Sequence, residues 1–235
     1  RDAIPALAEL ANDVDPLVVE SAVRSLSSVG GRDVIPAMAS LLKAADSNRR
    51  RTAAQALGRT KNPEATTPLL SVLDDPNEIV ACTALAALNE IHGREEAFNP
   101  SPGAKGALST NLIAAFKNAI ADPRWRVRAT ASEVIGKLHI SQLSGDMTIL
   151  LTDPDAFVVK NTLVALGGLG ARPEVPQLAE LAKRLPSLRG DAVEMMAQSE
   201  SDEIVKAVQT MYDGGDTETR VVILNALGRV ESSGG

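Results

Sequence analysis

Apolar residues recur along this chain at a nearly constant interval, in two short stretches per interval. The residue that closes the second stretch of each unit forms a column with successive spacings of 31, 31, 47, 31, 30 and 31 residues. A repeat of this length indicates an array of similar structural units, with one insertion in the middle of the chain. The seven column positions are Leu26, Leu57, Leu88, Ile135, Leu166, Met196 and Leu227.

Two further columns accompany this Leu column at helical spacing. Mostly small residues stand four positions earlier, and a spacing of four predicts that both columns share one face of a helix. This second column contains Ala22, Ala53, Ala84, Ala131, Thr162, Ala192 and Ile223. Glycine often follows the Leu column directly, and we interpret it as a close-packing point or a weak position near the helix end. These glycines are Gly58, Gly136, Gly167 and Gly228.

The earlier apolar stretch of each unit predicts a first helix, at residues 4–10, 35–42, 68–73, 112–120, 147–151, 175–181 and 204–211. Short turns separate the two helices of a unit. In several units the turn contains Asp-Pro, which ends one helix and starts the next. These pairs are Asp15-Pro16, Asp75-Pro76, Asp122-Pro123 and Asp153-Pro154. Sustained alternation with period two is absent from the sequence, so we predict about seven helical hairpins and no sheet.

Residues 122–138 resemble the second helix of a HEAT repeat, and so do residues 75–88. The unit length of about 31 residues is similar to that of the short HEAT-like repeats of the phycobilisome-lyase type. The resemblance implies an all-α fold, an α-α superhelix (α-solenoid) of the armadillo/HEAT-like kind. It further implies first helices on the convex face and second helices on the concave face.

The repeat pattern predicts a single domain over residues 1–235, with repeats 1–3 at 1–92, an insertion at 93–109 and repeats 4–7 at 110–231. The first repeat begins at Arg1 with the same motif that opens the second repeat at Arg32. Residues 231–235 have the composition of a linker. We therefore expect the chain to be a fragment of a longer protein. The compartment, whether cytoplasmic or exported, stays open.

Composition narrows the classes of function. The net charge is −6, so the chain lacks the overall positive charge that favours binding to a phosphate backbone. Aromatic residues make up 2% of the chain, so no aromatic platform for stacking nucleic-acid bases is evident. A single cysteine, Cys82, excludes an internal disulfide and a cysteine-based metal cluster. His92 and His139 lack acidic or cysteine neighbours at ligand spacing, so we expect no metal and no cofactor. No apolar run is long enough to span a membrane.

The predicted concave stripe lies six and two residues before the Leu column. It contains Glu20, Arg24, Arg51, Gln55, Cys82, Ala86, Ala129, Glu133, Lys160, Val164, Gly190, Glu194, Val221 and Asn225. The densest basic patch joins Arg24, Arg49, Arg50, Arg51 and Arg59. It either clamps an acidic partner or is solvated surface with one structural arginine. Arg50, Arg128, Arg189 and Arg220 fall in one column, seven residues before the Leu column. The resemblance implies a structural role for this column, in which an arginine pairs with the turn aspartate of a neighbouring repeat, here Asp75 or Asp153.

Three other features remain open at this point. Trp125, between two arginines at a helix start, is either an edge residue or a contact hot spot. Phe98 lies in the insertion, which is either part of a binding edge of the helical ribbon or a tolerated surface segment. In the second case Phe98 fills the gap between repeats three and four. Cys82 is either a packing residue or a reactive thiol.

We expect a non-enzymatic scaffold that binds a protein partner, or a neighbouring domain of its own chain, along the concave face. The candidate contacts are Arg24, Arg49, Arg51, Gln55, Arg59, Phe98 and Trp125. One alternative is an enzyme or enzyme subunit of the bilin lyase-like class, although no catalytic constellation is visible. The other is a nucleic-acid binder, which the acidic and aromatic-poor composition disfavours.

Overall fold

The computed structural model describes residues 3–93, 109–198 and 203–233 of the chain. Within these ranges it contains fourteen α-helices and five short 3₁₀ segments, and no β-strand. The chain divides into two compact units, an N-terminal unit of residues 1–138 and a C-terminal unit of residues 139–235. Phe98 and most of the 93–109 insertion lie outside the described residues.

The N-terminal unit consists of four hairpins, each with a first helix followed by a longer second helix. The second helices pack side by side in chain order, α2 on α4, α4 on α6 and α6 on α8, and together they form the second-helix layer of this unit. The helices are α1 (Ile4–Leu10), α2 (Pro16–Val29), α3 (Ile35–Leu41), α4 (Ser47–Thr60), α5 (Thr66–Leu70), α6 (Glu78–His92), α7 (Thr110–Ile120) and α8 (Trp125–Lys137).

The C-terminal unit has three hairpins, and in the second of them α12 (9 residues) is slightly shorter than α11 (10 residues). Its second helices also pack in order, α10 on α12 and α12 on α14. The stretch predicted as the first helix at residues 147–151 is divided, because α9 ends at Met147 and a 3₁₀ segment continues to Thr152. The helices are α9 (Ser144–Met147), α10 (Ala156–Gly168), α11 (Val175–Arg184), α12 (Arg189–Ala197), α13 (Glu203–Asp213) and α14 (Thr217–Ser233).

The Leu column forms the core of both units. Its first six members, from Leu26 to Met196, are fully buried, and so is the small-residue column four positions earlier. Leu227 differs, because it is only half-buried in α14. That helix packs mainly against α12 and α13, and it presents Ile223 and Ala226 to the core instead. These two residues are in register with the buried residues four positions and one position before the Leu column in other repeats, so only Leu227 departs from the pattern at the last hairpin.

The glycines that follow the Leu column do not share one role. A Cβ atom at Gly58 would lie 2.7 Å from the Cβ and 2.8 Å from the Cα of Ala87, so α4 and α6 approach closely there. A Cβ atom at Gly228 would meet no atom of the described residues within 4 Å. Close packing therefore explains the glycine at position 58, and it does not explain the one at position 228.

An aspartate in the turn fixes the start of the second helix in four hairpins. Its carboxylate accepts a hydrogen bond from the backbone N–H two residues later, at 2.8–2.9 Å, in the turns of Asp13, Asp75, Asp122 and Asp153. In the first hairpin the equivalent of Asp75 is thus Asp13 and not Asp15. Asp15 is the N-cap of α2, where it accepts from the amide of Leu17, as Asn77 does for Ile79 in α6.

Replacing Leu57 by alanine is expected to lower the free energy of unfolding by about 2–5 kcal/mol, because a fully buried side chain leaves a cavity in the second-helix layer. Leu17→Ala is the matched control, since Leu17 also lies on a second helix but is 72% exposed. Urea unfolding of both variants measures the difference. If Leu57→Ala lowers the free energy of unfolding by less than about 1 kcal/mol, the Leu column is not buried as described.

Replacing Gly58 by alanine is expected to destabilise the protein by about 1–3 kcal/mol. The usual helix-propensity gain of about 1 kcal/mol is outweighed, because the new methyl group overlaps the backbone of α6. Gly228→Ala, with open space around the new Cβ, is expected to leave stability unchanged or slightly raised. Thermal unfolding followed by circular dichroism compares the two, and equal shifts of Tm would show that α4 and α6 are not in tight contact.

Candidate partner-binding surface

Arg50, at the start of α4, connects its own hairpin to the next turn. Its Nε donates to Asp75 Oδ2 at 2.6 Å and its Nη2 donates to Oδ1 at 2.9 Å. Its Nη1 donates to the carbonyls of Ala44 and Ala45, just after α3. Burial opposes ionisation of Asp75, but hydrogen bonds from Arg50 and the Asn77 amide outweigh it and hold the pKa of Asp75 below its ordinary value.

The other arginines of the column also donate to carbonyls near the end of the preceding first helix. These carbonyls lack partners within the helix, and a guanidinium with several N–H groups satisfies them. The pairs are Arg128 with Asp122 O and Pro123 O, Arg189 with Ala182 O, and Arg220 with Tyr212 O. The column therefore closes individual hairpins. Arg50 in addition joins its hairpin to the next turn, and Arg189 joins α12 to α14 by donating from Nη1 to Thr219 Oγ1 at 2.6 Å.

A second set of arginines joins neighbouring repeats. Each donates to the backbone carbonyl of the turn aspartate in the repeat before it, namely Arg49 to Asp13 O at 2.5 Å, Arg124 to Asp75 O at 2.5 Å and Arg184 to Asp153 O at 2.7 Å. From the sequence, we expected Arg49 to contact a binding partner. Its guanidinium is instead engaged by the fold.

Only part of the basic patch is thus left on the surface. Arg24 pairs with Glu20 at 2.7 Å, and both side chains are well exposed. Arg51 is half-buried and Arg59 is exposed. Within the described part of the chain, neither of these two arginines has a side-chain hydrogen bond or an ion pair. Gln55 lies between them, one helical turn from each, and is also exposed.

Two depressions flank α4 on the second-helix layer of the N-terminal unit. The first, of about 620 Å³, lies between α2 and α4 and includes Glu20 and Arg51. The second, of about 370 Å³, lies where α4, α6 and α8 meet and includes Gln55, Ile79 and Arg126. The residues of α4 therefore form a low crest between two concave regions of the surface.

A cluster of side chains stands at the start of α6 and α8. The guanidinium of Arg126 lies 4.7 Å from the centre of the Trp125 ring and forms an ion pair with Glu78. Trp125 is 36% exposed and Ile79 is 56% exposed. Tryptophan and arginine are the residue types most enriched among binding hot spots, and here the arginine is held in place by two neighbours.

Leu17 and Ile79 were not among the candidate residues predicted from the sequence. Both are exposed and stand nine residues before the Leu column, at the same position as Asn48 in α4 and Arg126 in α8. The signal in the sequence is the recurrence of large side chains at this position. The predicted stripe also contained one error, because Ala129 is buried where α8 packs against the neighbouring helices.

The remaining candidate residues have ordinary surroundings. Cys82 is half-buried in the second depression, where burial raises the pKa of its thiol. His92 contacts the hydroxyl of Thr66 at 2.9 Å, and burial lowers its pKa. Among the residues that the structure covers, no group of three His, Cys, Asp or Glu side chains is placed to hold a metal ion. None of the described helices has the length and apolar composition needed to cross a bilayer.

The family model for HEAT repeats matches residues 1–56 and 36–100. In sequence, this part of the chain is thus similar to HEAT repeats. The match covers α1 to α6, which contribute most of the second-helix layer with its two depressions. The comparison with curated proteins gives no match.

Solved structures extend the similarity of fold to nearly the whole chain. Human deoxyhypusine hydroxylase in complex with glycerol is similar at 18% identity and a TM-score of 0.50, over 98% of this chain and 96% of that one. The complex of CpcE and CpcF of phycocyanin lyase from Nostoc sp. PCC7120 is similar at 15% identity and a TM-score of 0.54, over 97% and 94%. At these identities the comparisons establish an all-helical α-solenoid of the HEAT and armadillo kind, and the fold alone.

These comparisons correct one expectation. We had expected a non-enzymatic protein, because no catalytic constellation was visible in the sequence. A hydroxylase and a lyase share this fold, so the fold is consistent with an enzyme. The physical reason is that a stack of helical hairpins fixes a surface and not a chemistry, since the exposed side chains vary independently of the core.

Asp75→Asn is expected to lower stability at pH 7 by about 1.5–3 kcal/mol, because the neutral amide loses the charged pair with Arg50. The pKa of Asp75 is depressed in the folded state, so its stabilisation is complete above the ordinary value of 3.8 and is lost as pH falls through the folded value. The difference between wild type and variant should therefore shrink below about pH 4.

Urea unfolding between pH 3 and pH 7 measures this effect. Asp74→Asn is the control, since Asp74 is adjacent in sequence but exposed. A stability difference between wild type and Asp75→Asn that stays constant over this range contradicts an ionised, paired carboxylate at position 75.

Proposed function

We propose that the second-helix layer of the N-terminal unit binds a segment of a protein partner, or of a neighbouring domain of the same chain. The observation that carries the proposal is the cluster of Ile79, Trp125 and Arg126 beside the second depression. Large apolar side chains exposed next to a positioned arginine are typical of the centre of a binding site. Scaffolds of this repeat type present such a layer as an extended surface.

The charges of this layer favour a protein over a nucleic acid. Three of its basic side chains pair with carboxylates of the same layer: Arg24 with Glu20, Arg126 with Glu78 and Lys137 with Glu133. A groove for a phosphate backbone needs many uncompensated cations, since phosphate neutralisation provides most of that affinity. A mixed surface with local apolar contacts suits a polypeptide better. Binding of this kind is compatible with catalysis.

The double variant Ile79→Ser, Trp125→Ala tests the proposal. The wild-type protein, this variant and a control are each used as immobilised bait for an extract of the native cells. The control is Leu10→Ser, Ile149→Ser, which removes two exposed apolar side chains outside the layer. Any protein retained by wild type and control but not by the variant is then purified, and its affinity is measured by calorimetry.

We expect the purified partner to bind the double variant at least 30-fold more weakly than wild type, which corresponds to about 2 kcal/mol. The Tm of the variant must stay close to that of the control, so that the loss reports binding and not unfolding. If every retained protein binds the variant as tightly as the wild type, the second-helix layer is not the binding surface.

A further inference from the structure

The crest formed by α4 carries a local positive charge that its surroundings do not neutralise. Arg51, Gln55 and Arg59 follow one another at one helical turn, so the two arginines are about 12 Å apart along the axis. Arg51 is half-buried at the edge of the first depression. Its stem is thus already ordered by packing, and a carboxylate that reached it would be bound at a low cost in side-chain entropy.

The other charges near the crest have partners or lie to one side. Arg24 and Glu20 compensate each other, and Arg49 and Arg50 are bound within the fold. Asp46 caps α4 by accepting from the Arg49 amide. Glu90 lies at the Arg59 end of the crest, where its Oε2 is close to Gly58, and it also lines the second depression. The uncompensated positive charge of the crest is therefore greatest at Arg51, the end away from Glu90.

The second depression lies next to this crest, and its α6 side presents a small apolar pocket. Ile79, Cys82 and Ala86 of α6 line the second depression together with Gln55 of α4. Neighbouring packed helices are about 8–10 Å apart. A chain that crosses α4 at Gln55 thus meets the guanidinium groups first and the apolar pocket about 9 Å later.

This geometry points to the chemistry of the partner, and the inference rests on the proposed function. We infer that the bound segment is extended and carries an acidic residue followed, three positions later, by an apolar residue. In the polyproline II conformation three residues span about 9 Å and return to the same side of the chain. The carboxylate lies between Arg51 and Arg59, and the apolar side chain enters the pocket of Ile79, Cys82 and Ala86.

Synthetic peptides test the inference directly. The probe is a fluorescein-labelled peptide of three Glu-Pro-Pro-Leu units, and its controls replace every Glu by Gln or every Leu by Ser. Binding is measured by fluorescence anisotropy at about 0.15 M salt, where charges more than about 8 Å away are largely screened. The protein variants are Arg51→Gln, Arg59→Gln and a charge-matched control, Lys43→Gln, Lys206→Gln, at two exposed lysines away from the layer.

We expect the wild-type protein to prefer the Glu peptide over the Gln peptide by about three- to tenfold, as two exposed charge contacts allow. The Arg51→Gln, Arg59→Gln variant should lose this preference, whereas the lysine control should keep it. The Ser peptide should bind more weakly to all three proteins. Preference for Glu should also decline as salt is raised.

Several outcomes overturn the inference. These are no measurable binding of the Glu peptide, equal binding of the Glu and Gln peptides, or an unchanged preference in the arginine variant. Tighter binding of a single-stranded oligonucleotide at the same arginines assigns the crest to nucleic acid instead. If a partner depends on Ile79 and Trp125 but binds the arginine variant normally, the proposed function stands and this inference alone fails.

Discussion

Within each compact unit, the packing of each second helix against the next is the constraint on which the rest of the structure depends. A short hairpin cannot cover its own apolar stripe, so neighbouring repeats complete the burial of the Leu column. In the N-terminal unit this packing brings α4 so close to α6 that position 58 has no room for a Cβ atom. Because the packing decides which side of each helix faces inward, it also decides which residues remain outside, among them Arg51, Gln55 and Ile79.

The backbone carbonyls at the turns also need hydrogen-bond donors, and arginine side chains supply them. The last carbonyls of each first helix and the carbonyl of the turn aspartate have no partner within their own helix. A guanidinium presents five N–H donors in a rigid fork, so one residue can satisfy carbonyls on two elements. Arg50 donates to two carbonyls and a carboxylate, and Arg49 donates to the turn of the preceding repeat. A run of three arginines in a chain with net charge −6 is therefore explained mostly by the needs of the backbone.

Periodicity was sufficient to predict the hairpins, because the column spacing records where neighbouring helices meet. It also placed Arg24, Arg51 and Gln55 on second helices, since their register follows from the Leu column. It could not show that Arg49 donates to the carbonyl of Asp13, because this hydrogen bond joins residues 36 positions apart and depends on how closely two turns approach each other. Nor could it show that Ala129 is buried or that Ile79 is exposed. Small and apolar residues occur on both sides of such helices, and only the packing of α6 against α8 separates them.

Because the fold is shared with enzymes, function in this chain has to be argued from side chains at equivalent positions. The three outward positions that carry Asn48, Arg51 and Gln55 in α4 carry Phe157, Lys160 and Val164 in α10. Phe157 and Val164 are 54% and 70% exposed, so the backbone pattern is the same while the surface chemistry is different. Recognition is thus a property of individual repeats. The contact with a carboxylate that we infer for α4 is therefore not expected at α10, whose outward face would favour an apolar segment.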